Sequence, residues 1–358
     1  MGKFVNDVLG MVPEADLIET GFMVSRPNDP LDALFTNEQT NNLMAKWHTL
    51  AAQFQIPQMA QFHAFDVESQ KTIHTPVDHH NVTKGLIKVK RNTSELLREL
   101  LQSGVTAESE IYDFVTDDNA NLSDQVVTRA NVARAEMMAT GQVTIKENGL
   151  DLTVDYGVPA ANKAHTLDVG EGAATDILSQ IEAIVQAARN NGVVLTGMIC
   201  PRSFLTKLRN NTAVQKAING NIGAGAMVRT AALEAFLDDE FGISQVVVDD
   251  LTYSLPYTMS NGEPAATVKR YFPTNKVSFF GAVNGMKLGS GLWGVPPEVD
   301  IARFYEVGGS TRSPYVYVTQ WAESDPAVIW TKASALYMPV LYAPQSLYIA
   351  TVSETPGA

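Results

Sequence analysis

The sequence predicts an α+β fold organised around one long helix, and three observations lead to that expectation. An amphipathic stretch over 122–140 stops at Gly141 and runs directly into a tight hairpin over 142–156. From Asp168 the hydrophobic pattern alternates between helix and strand periods as far as about residue 310. The stretch after residue 312 is rich in Tyr, Val and Trp and reads as extended.

Residues 1–53 read as an arm. Pro13, Pro27 and Pro30 break the stretch, no period is sustained, and only 37–53 looks helical. Such a segment buries little of itself and is expected to lie along another surface. Residues 54–91 read as a long, polar, two-stranded excursion, with alternation at Met59, Gln61 and His63 and again at Leu86, Lys88 and Lys90. A lone hairpin is marginal in water, so these strands need support from elsewhere. Asn92-Thr93-Ser94 offers N-cap oxygens for a helix over 95–102 that Gly104 closes, and Thr106 caps a short helix through Val115.

The helix over 122–140 places Leu122, Val126, Ala130, Ala133 and Met137 on one stripe and points Arg129, Arg134 and Glu136 elsewhere. Gly141 supplies the left-handed residue that ends it. The segments 142–147 and 150–156 then flank Asn148-Gly149, a pair suited to the positive φ of a type I′ turn. Beyond Asp168, Thr175 caps a helix through Arg189, Gly192 ends it, and 193–200 is an apolar run of strand length. Pro201 suits the first turn of the next helix. A helix at about 226–240 leads through Gly242 to a buried strand at 245–249, Asn261-Gly262 marks a turn, and 276–283 reads as a further strand. The aromatic C-terminal stretch is expected to return to the sheet begun at 142–156.

Composition narrows the function. The 358 residues are 45% apolar and 18% charged, sufficient for a sizeable core and close to the globular average. No apolar run approaches the roughly 18 residues that span a bilayer. The start Met1-Gly2-Lys3-Phe4-Val5-Asn6 shows neither a signal-peptide core nor a myristoylation pattern, so a soluble cytoplasmic product is expected. Cys200 is the single cysteine, which rules out an internal disulfide and fits a reducing compartment. With 26 basic and 39 acidic side chains the net charge is −13, a surface that repels phosphate and argues against nucleic acid or anionic lipid as a sought partner. Against that background Lys84, Lys88, Lys90 and Arg91 form a basic strip without an acid among them, either a solvated strand or a surface that docks on an acidic neighbour.

The search for chemistry yields no catalytic, cofactor-binding or metal-binding residues. His63, His74, His79 and His80 lack the spacing of a zinc site, and adjacent His79 and His80 would point to opposite faces of a strand. Cys200 ends an apolar run with no cation nearby to activate it. No Gly-x-Ser-x-Gly elbow or Walker loop occurs. Gly223-Ala-Gly225 lacks a third glycine, and in the Gly170-to-Thr175 turn Glu171 would oppose an anion. Asp249-Asp250 reads as a solvated strand end, with Lys287 and Glu298 in no recognisable relation to it. The C-terminal aromatics lack an interleaved basic patch and read as sheet packing, not base stacking.

The order of parts is more informative than any motif. The stretch Arg129-Ala-Asn-Val-Ala-Arg-Ala-Glu-Met-Met-Ala-Thr-Gly-Gln-Val-Thr-Ile145, the segment Met198-Ile-Cys-Pro-Arg-Ser-Phe204 leading to Asn211-Thr-Ala-Val214, and the tail from Ser324-Asp-Pro-Ala-Val-Ile-Trp330 to Gln345 follow one another in the chain. In that order they resemble the lambda-like major capsid protein E family of tailed bacteriophages, which has the HK97 capsid fold. The resemblance implies an N-terminal arm (1–53), an E-loop (54–91), a P domain with the spine helix and hairpin (92–167), an A domain (168–312), and a return to the P domain with the C-terminal tail (313–358). It implies a non-enzymatic subunit that self-assembles as hexamers and pentamers into an icosahedral shell around packaged double-stranded DNA. Assembly would occur in the host bacterial cytoplasm, with a portal and a decoration protein as partners. Since only about 50 residues precede the excursion, a separate scaffolding protein is expected rather than a fused scaffolding segment. Two other readings stay open at this point: an encapsulin-like nanocompartment shell around protein cargo, and an enzyme whose site forms between subunits near Asp249, Asp250 or the histidines.

Overall fold

The computed structural model describes residues 29–50, 59, 77–93, 107–147, 149–170, 176–220, 226–258, 264–282, 287–301, 311–312, 315–325 and 327–355. The expected helix at 95–102 with Gly104, Thr106, Thr175, the 223–225 glycines, Asn261-Gly262, His63 and His74 lie outside them.

The stretch expected to be helical at 37–53 is instead extended, as β1 (Phe35–Gln39) and β2 (Met44–Leu50). In β2, Ala45 and Trp47 are buried while Lys46 and His48 are exposed. That period of two suits a strand, and the neighbouring strands decide the outcome against local propensity. β3 (Val77–Thr83) pairs antiparallel with β2, whereas β4 (Gly85–Thr93) pairs antiparallel with the long β16 (Ala327–Leu341). The end of the expected two-stranded excursion is therefore not a free hairpin. Its two strands part at Lys84, one joining the arm and the other the body, because Ile87 and Val89 find apolar cover there.

The two helices expected before Gly141 are one continuous α1 (Ala107–Thr140) of 34 residues, about 51 Å long. The predicted stripe of Leu122, Val126, Ala130, Ala133 and Met137 is buried, but Arg134 is buried with it. The helix end packs against two sheets, and the guanidinium is held inside by Asn131 Oδ1 at 2.6 Å and Asp32 Oδ1 at 2.7 Å. Gly141 closes the helix at φ +74°, donating to the Met137 carbonyl at 2.8 Å, and a Cβ there would meet Val158 Cγ2 at 2.9 Å. β5 (Gln142–Glu147) and β6 (Leu150–Asp155) then pair with Glu147 opposite Leu150, which leaves the expected two-residue connection with Gly149 at φ +81°.

After α2 (Ala160–Lys163), β7 (His165–Asp168) opens a mixed lobe. There follow α3 (Ile177–Asn190), β8 (Val194–Cys200), α4 (Arg202–Asn210), α5 (Thr212–Asn219), α6 (Thr230–Phe241) and β9 (Gln245–Val248). Asp176, not Thr175, occupies the N-cap position of α3, and Pro201 stands one residue ahead of α4. Next come the paired β10 (Thr252–Thr258) and β11 (Pro264–Arg270), then β12 (Lys276–Ala282), β13 (Gly289–Gly294), α7 (Glu298–Ile301), β14 (Thr311–Arg312), β15 (Tyr317–Ser324) and finally β17 (Leu347–Ser353).

Strand exchange ties the two halves together. One sheet runs β1-β13-β16-β15-β14 with β4 also on β16, and the other runs β7-β17-β12-β8-β9. Residues 289–294, expected in the α/β lobe, belong to the first sheet, and 347–353 belong to the lobe's sheet. The C-terminal strands do not join β5 and β6, which pair only with each other among the described residues. One core fills the space around α1 between the sheets; a second lies beneath α3 to α6.

Candidate functional site

The basic strip is divided by the fold. Lys84 sits at the turn between β3 and β4, only 3% exposed. Its ammonium donates to Thr40 Oγ1 at 2.6 Å and to the carbonyls of Asn42, Trp293 and Thr40 at 2.8, 3.1 and 3.3 Å. Burial pulls its pKa down. Lys84 therefore fastens the β1–β2 link to the end of β13 and does not present charge to a neighbour. The expectation for that residue is corrected.

Lys88, Lys90 and Arg91 are exposed on β4. Lys88 Nζ lies 3.9 Å from Glu298, whose carboxylate also accepts from Lys332 at 2.5 Å. Burial alone would push Glu298 up, but the Lys332 hydrogen bond and the charges of Lys332 and Lys88 outweigh it and hold the carboxyl below its ordinary range. The β4–β16 register sets Lys90 opposite Lys332 and Asn92 opposite Trp330. As a result Lys90 Nζ stands 4.1 Å above the Trp330 ring, which stacks on Trp321 and donates from Nε1 to Glu323 at 2.9 Å. Basic strip and aromatic tail, separate in the sequence, thus form one surface. Only the pairing of β4 with β16, across more than 200 positions, brings them together, and local patterning cannot show it.

Among the described residues the remaining candidates carry no assembled chemistry. Asp249 is 1% exposed, not solvated as expected, and burial pushes its carboxyl up to about 6, with Asp29 and Asp250 adding to the rise and the Leu251 N–H opposing it. Asp250 forms an ion pair with Arg270. Cys200 is buried and its thiol is pushed up to about 12. His79 and His80 do face opposite ways, since His80 stacks on buried Trp47 while His79 is exposed. Among the described residues no three or more His, Cys, Asp or Glu are grouped to hold a metal.

A cleft beside β4, lined by Gly85 to Lys88, Ile145, Leu150 and Tyr337, holds about 120 Å³. Small-molecule sites run from about 300 to 1,000 Å³. A cleft of about 550 Å³ between α3 and α5 contains Asp168 and Lys207. Both are already engaged, Asp168 by Thr355 and Gly170 and Lys207 by Glu354.

Extended surface elements and a strand-exchanged body are the features that remain, and comparison with known proteins gives them a context. The family model for phage major capsid protein E matches residues 56–352. The chain belongs to the phage major capsid protein E family. Its fold is the HK97-like capsid fold. A protein described as the capsid protein of an Escherichia coli CFT073 prophage superposes with a TM-score of 0.55 at 13% identity, covering 98% of each chain. A protein of Mycobacterium phage Bobi does so with a TM-score of 0.50 at 10% identity, over 97% of this chain and 99% of that one. The virus-like particle of Pyrococcus furiosus superposes with a TM-score of 0.43 at 10% identity, over 97% of this chain and 99% of that one. No curated protein sequence matches the chain. Membership of this family supports a structural role and a place in the virion capsid.

Proposed function

We propose that this capsid protein tiles an icosahedral shell of hexamers and pentamers around double-stranded DNA and performs no catalytic step. The observation that carries the reading is the family match across 56–352, joined to a body whose strands are contributed from distant parts of the chain. Residues 1–53 act as the arm, 54–91 as the E-loop, 92–167 as the P domain and 168–312 as the A domain, with 313–358 returning; 289–294 then serves the P domain and 347–353 the A domain. Lys88, Lys90 and Arg91 meet acidic surface on an adjacent copy, where complementary charge fixes register. An acidic subunit suits a DNA container, because a wall that gripped the genome would oppose packaging and release. Assembly takes place in the bacterial cytoplasm with a separate scaffolding protein, a portal and a decoration protein. The test is the content of particles recovered from the producing cell. Nuclease-protected double-stranded DNA is expected; particles holding a protein cargo and no DNA would overturn the reading.

A further inference from the structure

The described histidines differ in what they touch. His80 faces inward, stacked on Trp47 at 5.1 Å and hydrogen-bonded through Nε2 to Thr49 Oγ1 at 2.9 Å. His165 is partly buried, 5.8 Å from the Tyr348 ring. His48 and His79 are different. They are direct partners in the β2–β3 register, both exposed, with ring centroids 4.4 Å apart and planes at 90°. The next pair along that face, Lys46 opposite Asn81, supplies no carboxylate to engage either ring. The sequence hides this pair because 31 positions separate its members and one falls in the stretch read as helical.

We propose that His48 and His79 bind one divalent transition-metal ion of the imidazole-preferring class, Zn²⁺, Ni²⁺ or Cu²⁺, and so tie β2 to β3. Each neutral imidazole offers one nitrogen lone pair, and such rings suit these ions. Two nitrogens bound to one tetrahedral zinc stand about 3.3 Å apart, a separation that directly opposed cross-strand residues can span. The edge-to-face rings converge by rotation about exposed side-chain torsions, with no backbone movement. Water completes the coordination. β2 and β3 form a two-stranded sheet, which is weak by itself, and an ion that binds the folded chain alone adds stability by mass action.

Calorimetric titration of Zn²⁺ and Ni²⁺ into the purified full chain at about pH 7.5 tests this. One ion per chain is expected, with a higher melting temperature. His48→Ala and His79→Ala should each weaken binding at least about tenfold, whereas a chain lacking His63 and His74 should bind as before. A reading free of substitutions comes from Cu²⁺ electron paramagnetic resonance of the wild-type chain, where two imidazole nitrogens are expected. Absence of saturable binding, undiminished binding by either variant, loss on removing His63 and His74, or a spectrum without imidazole nitrogen would overturn the proposal.

Discussion

Lys84 and Lys90 come from one basic run and have opposite fates. Lys84 is enclosed by four oxygen atoms at the turn between β3 and β4, whereas Lys90 lies exposed over Trp330. The same division recurs at Asp249 and Asp250, one buried and the other exposed and paired with Arg270. It recurs again at His80 and His79. Each pair reads as a single polar cluster in the chain. The fold turns one member inward and leaves the other at the surface.

The largest difference is expected at the lysines. Lys84→Met removes the ammonium donor shared by the Thr40, Asn42 and Trp293 oxygens, of which the Trp293 carbonyl keeps the Thr40 N–H at 2.8 Å, and should cost about 3 kcal/mol in chemical denaturation. Lys90→Met loses an exposed cation–π contact and should cost about 0.5–1 kcal/mol. Equal losses would break the contrast.

At the aspartates the sign depends on pH. Folding raises the Asp249 pKa, so the folded chain holds that proton more tightly; the contribution is complete below the ordinary value of 3.8 and is lost as pH rises through about 6. Asp249→Asn should therefore be more stable than wild type at neutral pH, by up to about 2 kcal/mol, with the advantage gone in acid. Asp250→Asn should change stability by no more than about 1 kcal/mol, since the Arg270 pair is exposed. Thermal melts across the pH range distinguish these outcomes.

Among the histidines, His80→Ala loses the Trp47 stack and the Thr49 hydrogen bond and should cost about 1–2 kcal/mol, while metal-free His79→Ala should stay close to wild type. Charge reversal of Lys88 and Lys90 breaks the contact over Trp330 and the Lys88–Glu298 pair at a folding cost of about 1 kcal/mol, and it should lower assembly yield and blunt its salt dependence. Light scattering across a salt series reads this, and an unaltered yield with unaltered salt sensitivity would remove these lysines from the contact.

Much of the framework was legible because its signals are local. Gly141 ends α1 and Gly149 lies in the turn of the hairpin, both at positive φ, a backbone conformation that few residues adopt. The helix–strand alternation of the lobe follows from its hydrophobic periods. What stayed hidden depends on distant partners. β1 and β2 are strands because β13 and β3 pair with them, and Arg134 is buried because the arm brings Asp32 within 2.7 Å of its guanidinium. The aromatic–basic surface required β4 to cross to β16. Lys84 illustrates the limit: no local pattern marks which lysine in a run will be surrounded by carbonyls.

Assembly itself is the most direct test. Electron microscopy of the expressed full chain, alone and with the proposed scaffolding protein, should show closed isometric shells of uniform size. A chain that remains a dispersed monomer in both preparations would contradict the proposed shell.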